Sequence, residues 1–183
     1  MLRPYARSAQ TDMRKATERE PWLRGTLGEV PAVHRAVLHA FELAEEDIVR
    51  WCGELRVEEW NARPGGVACV AFQVRHIARS ADRLLTYAEG RGLSERQMAE
   101  LRKEMEACTS PEEELMELRA ALENAARRVR ALVGKDLEAT RTVGRELLPT
   151  SLGGLLVHVA EHTQRHVGQT ITTAKVVRAA RRT

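Results

Sequence analysis

Apolar residues recur at steps of three and four along most of the chain, and the stripes they draw predict four long amphipathic helices. Val33, Val37, Ala40, Ala44, Ile48 and Trp51, with Phe41 beside them, predict a helix over about residues 30–52 that stops at Gly53. A turn cluster, Asn61–Ala62–Arg63–Pro64–Gly65–Gly66, separates it from a second stripe through Val67, Val70, Val74, Ile77, Ala81, Leu84 and Ala88, closed after about residue 89 by Gly90 and Gly92. Ser94 and Gln97 have the spacing of a capping box and predict a short helix carrying Met98, Leu101 and Met105. The third long helix has a full start signal, with Ser110 as cap, Pro111 in the first turn and Glu113 to complete the box. Its stripe is Leu115, Leu118, Leu122, Ala125, Val129 and Leu132, ending at Gly134. A linker containing Gly144 and Pro149 leads to Thr150 or Ser151, which caps a last helix ending near Val177.

No segment alternates in the manner of a strand. The fold class is therefore all-α, a four-helix bundle with a short inserted helix. Residues 1–28 read as an N-terminal arm and loop with an apolar anchor at Trp22 and Leu23, residues 29–178 as the bundle, and residues 179–183 as a basic tail. The connections are uneven in length, unlike the short turns of a simple meander.

Composition agrees with helices. Of the 183 residues, 43% are hydrophobic and 30% charged, but only 4% aromatic, and the chain is long enough for one domain with a proper core. The net charge of +3 is carried largely near the ends, by Arg3, Arg7, Arg14, Lys15 and Arg19 at the start and Lys175, Arg178, Arg181 and Arg182 at the finish. No aromatic residues interleave the cations of the C-terminal set, which disfavours a nucleic-acid partner there. No apolar run reaches the ~18 residues of a membrane span, and the first twenty residues lack the apolar stretch of a secretory signal, so a cytoplasmic address without membrane contact is expected. Cys52, Cys69 and Cys108 are odd in number and form no CxxC pair, giving neither a disulfide scaffold nor a zinc ribbon.

The chemistry is in the histidines. His162 and His166 stand four residues apart, on one face of a helix. Projected at ~100° per residue, they share a line with Leu155, Val159 and Thr173, which places them on the core face, while His158 falls ~60° to the other side of Leu155. Two core-facing imidazoles need partners for their nitrogens, supplied either by hydrogen bonds from neighbouring helices or by one transition-metal ion that serves both. Elsewhere, His34 falls near the exposed side of the first helix and His39 is given no role by its stripe. His76 lies ~120° off the centre of the second helix, a position that suits either solvent or a seam with a neighbouring helix. Glu161 precedes His162 with no histidine directly before it, so the HExxH arrangement of a zincin protease is absent.

Arg75–His76–Ile77–Ala78, followed much later by His158–Val159–Ala160–Glu161–His162–Thr163–Gln164–Arg165–His166–Val167–Gly168–Gln169, resembles the DinB/YfiT superfamily. Members pair a His-Ile/Leu-Ala histidine on the second helix with HxxxHxxxH-x-GQ on the last. The resemblance covers about residues 29–177. It implies an up-down-down-up bundle holding a divalent metal, Zn²⁺ or Ni²⁺, on His76, His162 and His166, with His158 not a ligand. Val167 stands where the family often has Arg. Several relatives transfer thiols such as bacillithiol or mycothiol to electrophiles, which implies a metal-dependent S-transferase of detoxification or stress response, its partners a small-molecule thiol and an electrophile. A hydrolase or isomerase on the same scaffold and a non-catalytic stress-response binding protein are the alternatives. Arg75, Arg79 and Arg165 are candidates for the anionic end of a cofactor, and Gln169 for orienting a ligand. A homodimer is compatible with the pattern, though no heptad marks an interface.

Overall fold

The computed structural model describes residues 19–181. Residues 1–18 of the arm, and with them Arg3, Arg7, Arg14 and Lys15, lie outside the described residues, as do Arg182 and Thr183. The described helices are α1 (Ala32–Cys52), α2 (Val57–Asn61), α3 (Val70–Ala88), α4 (Glu95–Arg102), α5 (Pro111–Ala131) and α6 (Leu152–Ala180). α1 matches its predicted span within two residues, and α3 and α5 match theirs within three. α6 runs three residues further than predicted, into the basic tail.

The directions of the four long helices follow from which residues meet. Gln164 donates to the Ala40 carbonyl and Lys175 lies over the Trp51 ring, so α6 runs parallel to α1. Gln73 meets His166 and Thr173 donates to the Ala68 carbonyl, so α3 runs antiparallel to α6. Arg75 pairs with Glu114 and Arg128 with Asp82, so α5 runs parallel to α3. This is the up-down-down-up order, in which the parallel neighbours α3 and α5 require a crossover. Residues 89–110, with α4 inside them, make it.

Between the helices lies a continuous core in which Trp60, Ile48, Ile77, Leu85, Leu118, Leu152 and Leu156 are fully buried. Capping fixes where the elements start. Ser94 accepts from the Gln97 amide and Gln97 returns a carbonyl to the Ser94 amide, as predicted. At α5, Ser110 accepts from the Glu113 amide, but Glu113 does not reach back, so half of the predicted box forms. Ser151, not Thr150, caps α6 by accepting from Gly154.

Two expectations are corrected. The linker before α6 is a small antiparallel hairpin, β1 (Thr140–Val143) with β2 (Leu148–Ser151), and Pro149 and the short strands hid it. The segment just before the hairpin ties down the start of α6, because Gly153 donates to the Leu137 carbonyl and a Cβ at Gly153 would sit 3.2 Å from that oxygen. Val67, assigned to the second stripe, precedes α3 and is exposed. Near the C-terminal end of the described residues, Arg178 pairs with Glu54 and Arg181 with Glu59. Hydrogen bonds from Arg181 outweigh burial and hold the Glu59 carboxyl at about 2. Among the described residues no helix is long and apolar enough to cross a membrane.

Candidate metal centre

The fully buried residues of α6 include Leu155, Leu156, Val159, Thr163, Val167, Thr170 and Ala174. His162 and His166 therefore lie on the shoulder of the core face rather than on its centre line, turned toward α3. His76 on α3 enters the same seam, which decides between the two positions its periodicity allowed. The Nε2 atoms of His76 and His162 are 2.9 Å apart, and the ring centroids of His76 and His162 lie 4.4 Å and 4.5 Å from that of His166. One ligand atom from each of the three falls within 4.8 Å of the others.

Their outer nitrogens are held from behind. His76 Nδ1 lies 2.8 Å from Glu104 Oε2, and Arg83 donates to Glu104 Oε1 at 2.7 Å. His166 Nδ1 lies 2.6 Å from Gln73 Oε1. A carboxylate and an amide oxygen only accept, so each ring donates from Nδ1 and turns an Nε2 lone pair inward. Phe72 stacks on His76 at 5.4 Å and shields one face of the ring. Burial first, and then the neighbouring imidazoles, push both His162 and His166 down to about 4. Burial alone would raise the Glu104 carboxyl, but hydrogen bonds from His76 and Arg83 outweigh it and hold the group below the ordinary carboxylate range.

This donor set fits a divalent cation. His162 and His166 are neutral at pH 7, which is the ligating form, and His162 Nδ1 is buried with no partner among the described residues, so within the protein alone the cluster is incompletely satisfied. Three imidazoles leave further coordination positions free, as in catalytic rather than closed structural sites.

The other candidates have varied settings. His158 is half-buried beside His162, with ring centroids 5.4 Å apart, and its Nδ1 meets Glu161. Arg165 is exposed and pairs with Glu161, and Gln169 is exposed one turn beyond His166. Arg79 pairs with Glu117 and Glu100. Arg75, a candidate anion binder, is buried: its guanidinium grips Glu114 and the carbonyls of Glu106 and Ala107. It pins the crossover that carries Glu104, and four of its five N–H donors have acceptors within the chain. His34, expected near the exposed side of the first helix, is instead buried, and among the described residues neither of its ring nitrogens has a partner. His39 is also buried and meets Glu42. Burial pushes the Cys52 thiol up to about 12 and the Cys108 thiol up to about 11, so neither is a nucleophile at neutral pH. Cys69 is half-buried at the start of α3 and packs against the core.

Sequence reasoning missed Glu104, Gln73 and Arg83. Gln73 and Arg83 stand three residues before and seven after His76, on its own side of α3, and could have been sought there. Glu104 comes from the crossover, and no local pattern marks it.

Fold and site together define a four-helix bundle with a three-histidine centre able to hold a divalent metal. Residues 40–170 match the model of the DinB superfamily, and the chain belongs to that family. Among solved structures, YfiT from Bacillus subtilis, described as a probable metal-dependent hydrolase with an unusual four-helix bundle topology, is similar with a TM-score of 0.57 at 16% identity, over 77% of this chain and 85% of that one. No curated protein matches the chain in sequence.

Proposed function

We propose that the protein is a metal-dependent transferase that joins a low-molecular-weight thiol, of the bacillithiol kind, to an electrophile. The observation that carries this reading is the convergence of His76, His162 and His166 with two of their outer nitrogens held by Glu104 and Gln73. A divalent cation, Zn²⁺ or Ni²⁺, would be held by these three rings and would lower the pKa of a thiol or water taken at a free position. Glu104 fixes the tautomer of His76 and adds negative charge behind it, and Arg83 keeps that carboxylate ionised. Gln73 fixes the tautomer of His166 without adding charge. Phe72 restricts water at His76. The raised thiol pKa values of Cys52 and Cys108 favour a nucleophile brought from outside the chain.

A second reading is a hydrolase, in which water takes the place of the thiol. It is favoured by the description of YfiT, whose bundle this chain resembles. The experiment that separates them is a panel of electrophiles and esters assayed on the Zn²⁺-loaded and Ni²⁺-loaded protein, with and without bacillithiol. Turnover that requires the thiol is expected. Turnover of esters at the same rate without thiol would replace the transferase by the hydrolase, and no turnover in either arm would leave the binding-protein alternative.

A further inference from the structure

Beside the metal centre, and separated from it by Gln73, lies an open and largely apolar cleft of about 850 Å³. Its walls are the segment carrying Val67 and Ala68 before α3 and the face of α6 from Arg165 to Val176. Its volume is that of a small-molecule site. We propose that this cleft binds a small molecule with an apolar body and one carboxylate or sulfonate group. This goes beyond the reading above and does not depend on a cation in the triad.

Two independent observations carry it. The first is the donor set. None of the lining residues is acidic, and Gln73, Gln169 and Arg165 bring N–H donors to its wall. Gln73 accepts from His166 through its amide oxygen, and among the described residues no acceptor takes its N–H groups. Gln169 adds a second amide and Arg165 a guanidinium. Arg165 is paired with Glu161, but the pair is half exposed, so an anion in the cleft could compete for it at small cost.

The second is Gly168, in the interior of α6 and on the cleft wall. Glycine is the poorest helix former after proline, and packing does not require it here, because a Cβ built at Gly168 meets nothing within 4 Å. The space a side chain would take is the cleft itself.

The test uses two fluorescent probes on the full chain, anilinonaphthalene sulfonate and its uncharged parent phenylnaphthylamine, with metal-free and metal-loaded protein in parallel. Saturable binding of both probes to the parent protein is expected in either metal state. Gly168→Leu should weaken both by at least about tenfold, while its melting temperature stays at or above that of the parent because leucine favours the helix. Arg165→Ala should weaken the sulfonate by about tenfold and leave the neutral probe unchanged. No saturable binding to the parent, unchanged affinities in Gly168→Leu, or an equal response of the two probes to Arg165→Ala would overturn the proposal. Failure here leaves the triad untouched, since metal content is measured separately.

Discussion

Glu104 shows how a single side chain can set the character of the centre. It is 2% exposed, accepts from His76 on one oxygen and from Arg83 on the other, and so presents a buried, ionised carboxylate to the back of a ligating ring. Glu104→Gln keeps the shape but removes the charge. The expected outcome is a metal affinity lower by ~10–100-fold, measured by competition with a chromophoric chelator, with the fold intact by circular dichroism. An unchanged affinity would mean that His76 is oriented by packing against Phe72 alone. Arg75 is the contrasting case. Its sequence position beside His76 suggested a ligand-binding role, yet it is spent on Glu114 and the crossover backbone. Arg75→Ala would strand Glu114 in the core, and a loss of about 3–5 kcal/mol is expected by chemical denaturation.

At the scale of elements, the helices that build the site are set by local signals that a reader of the chain can find. Ser151 accepts from the Gly154 amide at the start of α6, and Ser151→Ala should cost ~1 kcal/mol in thermal unfolding without altering metal content. The apolar stripes and caps made α1, α3, α5 and α6 legible, because burial on one face imposes the helical period. The hairpin at Thr140–Ser151 was not legible, since four-residue strands with Arg141 and Pro149 carry too little alternation to register. The same limit explains the site. His162 and His166 are marked by their own spacing, whereas His76 sits off its stripe and only the packing of α3 against α6 shows why. Glu104 belongs to a crossover whose path is dictated by Arg75, Asn61 and the parallel run of α3 and α5. Such placement is tertiary and leaves no periodic trace.

For the whole molecule, the centre links folding to pH. His162 and His166 titrate near 6.5 when unfolded and near 4 when folded, so between those values the unfolded chain binds more protons. The metal-free protein should therefore lose stability as pH falls from about 6.5 to about 4, and this contribution should level off below 4. The Glu59 pair adds a later step: its contribution is present above 4.5 and lost as pH falls toward 2. Denaturant midpoints measured across this range check both, and a flat profile between pH 6.5 and 4 would contradict the buried, neutral histidines. The account as a whole depends on one cation shared by two helices, and elemental analysis of the purified protein beside His76→Ala, His162→Ala and His166→Ala tests that most directly. The predicted result is about one equivalent of Zn²⁺ or Ni²⁺ in the parent and a large loss in each folded variant. A full complement of metal retained in all three variants would contradict it.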